Sequence, residues 1–415
     1  MISQKSIELV KSTAPILQQY GETLTRHFYK RMFLSNPDVS AFFNVKNQAI
    51  GTQQRALANA ISAYAENIKN LDVLHSAIDL IANKHASLMI KPEHYPIVGE
   101  NLLASIKEVL GDNATDEVFN AWREAYCFLS ELLINRENQI YNNNANKSGG
   151  WHGFRNFKVI KKEKESSLIT SFYLQPEDKK ALPHYFPGQY ITLRVPTPDG
   201  FKTMRNYSLS DKPGLNYFRI SIKREVALNQ EIPAGIVSNI LHDKIDVEDI
   251  LEIGPPCGDF FLNTDEYNGK SLVLLAAGVG ITPILSILNF ATDNMPEREI
   301  ILIYGCKNQV VQPFKHKIEA LSKIHSKLRV HYRFSNPKLN DFNANQSCSI
   351  GKINMQLIES LITEKDADYY FCGPKPFMST LFKGLLDWGI PNNQIHFEFF
   401  GPKEDLQNNS KGTLR

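Results

Sequence analysis

Cysteine is scarce in this chain: Cys127, Cys257, Cys306, Cys348 and Cys372 are the only five in 415 residues, and none is spaced as CxxC or CxxCH. That scatter excludes a cysteine zinc site, a disulfide framework and a covalently attached c-type haem, and a reducing, cytoplasmic setting is expected. An excess of one charge is also lacking. Lys and Arg number 46 against 44 Asp and Glu, for a net charge of +2, and no strongly basic or acidic segment argues for nucleic acid or a membrane surface as partner. No apolar run is long enough to span a bilayer, and MISQKSIELVKSTAPIL has no uninterrupted apolar core of a secretory signal. What remains, 42% hydrophobic and 22% charged, is an ordinary globular composition with length for roughly three domains.

What is present begins with helices. From Ser3 to about Tyr141 the period is helical, broken at Ser35-Asn36-Pro37, Lys91-Pro92 and Gly111-Asp112-Asn113. Leu74, Ile78, Ile81, His85 and Leu88 form one apolar stripe, which predicts a buried imidazole on a helix ending near Lys91, before Pro92. Tyr95 opens the next stripe, with Val98, Leu102, Ile106 and Val109. The row Ile16, Tyr20, Leu24, Phe28, Met32 brings Tyr29 beside its buried face, and Phe42 and Phe43 follow in a connection. Gln53 shares a face with Leu57, Ile61 and Tyr64, and Glu137 lies on the stripe Trp122, Tyr126, Leu129, Leu133, Ile140. Any one of these inward polar groups can be a satisfied core residue. Five of them make a costly core unless they surround something polar, and a haem accounts for them, with His85 as axial ligand and Tyr29 and Gln53 facing a bound gas.

On these residues the first third resembles a globin, and the set is similar to that of the flavohaemoglobin family. The resemblance implies Tyr29, Gln53 and Leu57 on the distal side of the haem, Phe43 packed on the ring, and Lys84, His85, Tyr95 and Glu137 on the proximal side. The stretch from Asn135 to Trp151 looks like that family's junction, and Asn142 to Gly150 reads as a linker by composition.

After Trp151 the pattern alternates: Ile191, Leu193, Val195 and then Phe218, Ile220, Ile222 take every second position, with turns at Phe186-Pro187-Gly188 and Lys212-Pro213-Gly214. A small antiparallel β-barrel is expected. It contains PGQY, ending in Tyr190, then RNYSLS with Arg205, Asn206, Tyr207 and Ser208, then GIVSN with Gly235, Val237 and Ser238. An arginine, an aromatic and a serine on one strand offer a cation for a phosphate, a face for an isoalloxazine and a hydroxyl for its edge. Ser238 is expected to cap a helix facing a pyrophosphate. Together the motifs resemble the ferredoxin-reductase type of FAD-binding domain.

The last third opens with a continuous apolar strand, Ser271 to Ala276, and the turn Gly278, Val279, Gly280, Ile281, Thr282, Pro283, with Pro283 suited to the first helical position. Its amides would meet a dinucleotide pyrophosphate, although such turns also occur in α/β proteins that bind no phosphate. Strand and helix pairs follow, as in an open doubly wound sheet. Cys372, Gly373 and Pro374 end one strand; Cys372 reads equally as a plain buried residue, but CGPxxFM in ferredoxin-reductase-like proteins lies beside the nicotinamide. Glu398, Phe399, Phe400, Gly401 and Pro402 look like the closing motif that packs on the flavin. Lys307 leaves both NADH and NADPH open.

The expected organisation is a globin haem domain over 1–141, a linker over 142–150, an FAD-binding barrel over 151–264, an NAD(P)-binding α/β domain over 265–402 and a polar, disordered tail over 403–415. The cofactors would be haem b, FAD and NAD(P)H. By resemblance the activity is nitric oxide dioxygenation, with nitric oxide and dioxygen as substrates, in a monomer. A flavin reductase or diaphorase with a regulatory globin, or a gas sensor, are the readings from other classes.

Overall fold

A computed structural model describes residues 2–43, 48, 51–197, 200–227, 234–264, 269–341 and 347–400. The first helix, α1 (Gln4–Ser35), starts on the Ser3 hydroxyl, which accepts from the Ser6 amide, and runs unbroken through Pro15. It packs on α2 (Thr52–Asn67) at Gly21, where a β-carbon would stand 3.1 Å from that of Ala58. This close crossing decides which face is inside. Leu17 and Gly21 are buried while Tyr20 is 43% exposed, so the expected row through Ile16 and Tyr20 is shifted by one position. A 3-10 turn (Pro37–Phe42), α3 (His75–Ser87), α4 (His94–Leu110) and α5 (Asp116–Asn146) complete the helical unit.

Two boundaries differ from expectation. The α3 helix stops at Ser87, ahead of the proline signal, because Met89 takes a left-handed φ of 58°. The amides of Met89 and Ile90 then bond back to the carbonyls of Ala86 and His85 at 3.1 and 3.0 Å, a closing arrangement that usually uses glycine. The α5 helix passes Tyr141 and takes in Asn142 to Asn146, five of the nine residues that composition presents as linker.

Six antiparallel strands follow: β1 (Arg155–Lys164), β2 (Ile169–Pro176), β3 (Tyr190–Pro196), β4 (Lys202–Ser208), β5 (Phe218–Lys223) and β6 (Ile250–Ile253), in the order β4-β3-β6-β1-β2-β5. Leu209, just past β4, bridges to Ile220 of β5 and closes the sheet on itself. One helix, α6 (Ile236–Lys244), accompanies it. Phe157, Ile191, Leu193, Val195, Phe218 and Ile220 fill the interior, as alternation requires.

The third unit is a parallel sheet ordered β10-β9-β8-β7-β11-β12. Its strands are β7 (Ser271–Ala277), β8 (Ile300–Cys306), β9 (Leu328–Phe334), β10 (Cys348–Ile350), β11 (Ala367–Cys372) and β12 (Ile395–Glu398), and the helices are α7 (Ile281–Asn294), α8 (Lys315–Ile324), α9 (Met355–Leu361) and α10 (Lys375–Asp387). Leu272 and Leu274 face one apolar cluster and Val273 and Leu275 the other, which is why β7 reads as an uninterrupted apolar run. The order reverses between β7 and β11, and ligands of such sheets bind at that point beyond the strand ends.

Candidate functional site

Helices α3, α4 and α5 bring three of the expected polar residues to one point. His85 Nδ1 lies 2.8 Å from Glu137 Oε1 and 3.1 Å from the Tyr95 hydroxyl, which itself donates to the same carboxylate oxygen. Glu137 is 1% exposed and Tyr95 7%. Burial, reinforced by the bond to Glu137, pushes the Tyr95 phenol well above its ordinary range, so it remains a donor. The carboxylate accepts from both neighbours, which fixes the imidazole with its proton on Nδ1 and leaves Nε2 to present a lone pair. The His85 side chain is 34% exposed, where the apolar stripe predicts burial: Glu137 lies beneath it while the other edge is open.

Tyr29 is buried and stacks edge-on against Phe43 with ring centroids 5.5 Å apart. It belongs to one apolar cluster, with Phe43 and Leu57 at its margin, whereas Tyr95 belongs to a second; Tyr126 and Leu129 border both. Burial raises the Tyr29 phenol and keeps it neutral. Gln53 is half-buried, its Oε1 accepting from Gln48 Nε2 at 3.1 Å, so its own amide protons point elsewhere. Gln54 is the more buried of the two, 5% exposed, and its Nε2 donates to Gln48 Oε1 at 2.8 Å. Sequence reasoning passed over Gln54 because it lies between the apolar rows.

A haem fits this arrangement on the structure's own terms. An imidazole held in one tautomer by Glu137 keeps a solvent-exposed edge, and the same helical unit supplies the buried, neutral phenol of Tyr29.

The barrel meets the globin along β4 and at Gly254, just past β6. Arg205 and Tyr207 share one face of β4, and Asn206 takes the opposite face, as strand alternation dictates. Asn206 Nδ2 donates to Ser87 Oγ at 3.1 Å and its Oδ1 accepts from Thr192 at 3.0 Å, so the second residue of the RNYS motif is engaged by the globin. Arg205 donates to Thr203 Oγ1 and to the Met204 carbonyl, and burial lowers the guanidinium pKa. Lys84 Nζ stands 5.4 Å from the centre of the Tyr190 ring. Lys84 is exposed to solvent, yet the protein atoms crowding its ammonium lower its pKa, opposed by Glu398 and Asp259. Ser208 and Val237 are buried. Ser238 does not cap α6: the cap is Gly235, and the Ser238 hydroxyl, inside the first turn, donates back to the Gly235 carbonyl at 3.2 Å.

At the sheet's switch point the two nicotinamide motifs touch. Gly278 has φ of 57°, and a β-carbon on Gly280 would fall 2.1 Å from the Cys372 carbonyl oxygen, so only glycine lets the turn lie on the end of β11. Thr282 donates to the Val279 carbonyl at 3.0 Å, and Ile281 is buried. Pro283 occupies the third position of α7, two later than expected, because Gly280 is the cap. Cys372 is wholly buried, its thiol pushed up by burial and by Glu398, which it faces in register. Gly373 and Pro374 lead into α10, with Gly373 against Ala277. Phe399 packs on the core of this unit and Phe400 is exposed; Gly401 and Pro402 lie outside the described residues.

Three family models match in sequence: globin over residues 26–132, oxidoreductase FAD-binding domain over 156–262, and oxidoreductase NAD-binding domain over 274–382. Flavohemoproteins of Oceanobacillus iheyensis and Halalkalibacterium halodurans are 43% and 45% identical, each over 98% of this chain and 98% of their own. The chain belongs to the flavohemoprotein family. A flavohemoglobin crystal structure from Malassezia yamatoensis, with bound FAD and heme, superposes with a TM-score of 0.82 at 29% identity, covering 96% of this chain and 100% of that one. The FAD/NAD-binding domain of a nitric oxide dioxygenase from Vibrio cholerae aligns with 60% of the chain at 32% identity, covering all of that domain, with a TM-score of 0.54. As a flavohemoprotein the chain is an oxidoreductase whose cofactors are haem, FAD and a nicotinamide dinucleotide. Among the described residues no helix is long and apolar enough to cross a membrane.

Proposed function

We propose that the protein is a nitric oxide dioxygenase, acting as a cytoplasmic monomer. One NAD(P)H, two nitric oxide and two dioxygen become two nitrate, NAD(P)+ and a proton. Bound haem supplies one-electron chemistry and the oxygen site, FAD the conversion from two-electron to one-electron steps, and the dihydronicotinamide the hydride. The observation that carries the reading is the convergence of Glu137 and Tyr95 on His85 Nδ1.

A carboxylate accepting the Nδ1 proton gives the imidazole partial anionic character and makes Nε2 a stronger donor, which suits oxygen activation better than oxygen storage. The neutral Tyr29 hydroxyl and the side-chain amide of Gln53 would donate toward negative charge on a bound gas, each such bond contributing roughly 1.5 to 3 kcal/mol. Leu57 and Phe43 keep water from that corner. Lys84 places a cation between the globin and the barrel, close to Tyr190. Arg205, Tyr207 and the first turn of α6 would hold the flavin, and the turn at Gly278 to Gly280, with Cys372 to Pro374, would hold the dinucleotide.

The test is nitrate formed per NAD(P)H oxidised when the haem- and FAD-loaded protein meets nitric oxide in air. Electron counting gives about two. Cofactor oxidation that proceeds equally fast without nitric oxide, yielding superoxide or peroxide, would mark a flavin reductase with an attached globin.

A further inference from the structure

Asp211 comes directly after the flavin motif, and it fastens the barrel to the helix that follows the glycine turn. Its carbonyl accepts from the Tyr185 hydroxyl at 2.8 Å and from Ser286 Oγ at 2.6 Å. Its carboxylate accepts from Asn289 Nδ2 at 3.0 Å on one oxygen and pairs with the Arg219 guanidinium at 3.2 Å on the other. Ser286 and Asn289 are three residues apart on one face of α7, so the two bonds fix both the place of the helix and its rotation. These groups are shielded from water, with Asp211 9%, Arg219 3% and Ser286 0% exposed.

Arg219 is anchored in turn. It donates to the Ser210 hydroxyl and carbonyl, Ser210 continues through Ser221 and Ser171 to Glu165, and Glu165 accepts from Lys317 of α8 at 2.7 Å. A buried ion pair is a poor source of net stability, since desolvation cancels much of the attraction. Its use here is geometric: among the alternatives for seating the parallel sheet on the barrel, it selects one.

We infer that Asp211 is the positioning residue that sets the spacing between flavin and nicotinamide, acting through Ser286 and Asn289 on α7 and so on the Gly278–Gly280 turn. This rests on the reading above, in which the dihydronicotinamide is oxidised by giving one hydride, a proton with two electrons, to the flavin, which is reduced. Ser286 is six residues of helix from Gly280, about 9 Å, and a tilt at the clamp is carried along that rod to the turn. Transfer between atoms held roughly 3 to 3.5 Å apart falls about a hundredfold for 1 Å of misplacement.

The experiment uses the full-length, haem- and FAD-loaded protein, mixed anaerobically with NADH and with NADH deuterated at C4, flavin bleaching being followed by stopped flow. In the Ser286→Ala/Asn289→Ala double variant bleaching slows about a hundredfold with a fully expressed isotope effect, while FAD content and the NADH concentration for half-saturation stay within about twofold. Hydrogen exchange of the amides from Gly278 to Asn289 speeds up in the same variant, without NADH present. Ser286→Thr, which keeps the hydroxyl, retains the wild-type rate. If the double variant loses FAD, Asp211→Asn is measured instead; it keeps the carbonyl and one side-chain acceptor, and about a tenfold loss is expected from the missing ion pair. Bleaching within about twofold of wild type, with FAD retained, would overturn the positioning role. Absence of bleaching in the wild type would overturn the hydride reading and this inference with it.

Discussion

The side-chain amide of Asn206 donates to Ser87 Oγ at 3.1 Å, which ties the flavin strand β4 to the last turn of the helix that carries His85. Ser87 is 1% exposed and passes its own proton to the Lys84 carbonyl at 2.7 Å. Ser87→Ala removes the acceptor without touching the barrel. Flavin reduction by NADH should be unchanged, and haem reduction by the flavin should slow about fivefold, the equivalent of one hydrogen bond of about 1 kcal/mol. Stopped-flow traces at the flavin and haem bands separate the two steps.

Replacing Glu137 by Gln removes the anionic acceptor behind His85 while keeping its shape. Nitrate production should fall roughly 10- to 100-fold and the haem midpoint potential should rise, as titration with redox mediators would record. An unchanged potential would mean that the carboxylate merely fills space.

Tyr29→Phe deletes the hydroxyl that the proposed function assigns to bound ligand. Because burial raises its pKa above the ordinary value of 10, the wild-type phenol stays protonated, and its contribution should be constant from pH 6 to pH 10. Oxygen should leave the variant roughly 10- to 150-fold faster at every pH in that range, as measured by displacement with carbon monoxide.

The cysteines should differ sharply in reactivity. Cys127 is exposed, whereas Cys257 is buried beside Asn144 and its thiol is pushed up to about 12 by burial. At pH 8 the thiolate fraction of Cys257 is about 10⁻⁴, so iodoacetamide should label Cys127 first and Cys257 only on unfolding, as peptide mass spectrometry would show. The same shift has a sign in stability. An unfolded Cys257 ionises near 9, the unfolded chain then binds fewer protons than the folded one, and this group lowers stability as pH rises from 9 toward 12.

Gly280→Ala sets a methyl group 2.1 Å from the Cys372 carbonyl oxygen, against the backbone of the Cys372–Gly373 peptide, with no flexible side chain to give way. A loss of roughly 3 kcal/mol or more is expected for the parallel-sheet unit in urea, with the haem absorbance of the helical unit retained.

The elements that could be read from the sequence are those in which one residue's environment follows from its neighbours along the chain. Glu137 and Tyr95 each sit on a helical stripe, so period alone points them into the core where they are buried, while the same rule for His85 misses its 34% exposure; β7 shows its two-faced burial as an unbroken apolar run. What escaped depends on contacts between distant segments. Tyr20 looks apolar enough for the core, but the close passage of Gly21 over Ala58 turns Leu17 inward instead. The early end of α3 needs a methionine in a glycine-like conformation, and Met89 has its side chain against Gly254 of the barrel. Asp211 carries no motif at all; its importance comes from Ser286 and Asn289, more than seventy positions away.

Helix α5 runs without interruption from Asp116 to Asn146, carrying Glu137 to His85 and, two turns on, Asn144 to Cys257 of the barrel. The join between globin and reductase is therefore a stiff shaft, in which seven residues of helix, about 10.5 Å, separate the carboxylate behind His85 from the barrel wall. Lengthening it by one residue would turn everything beyond by about 100 degrees, whereas adding seven would bring the phase back to within about 20 degrees. Chimeras that exchange the reductase half between relatives should then succeed or fail with the helical register of the splice, whatever its composition.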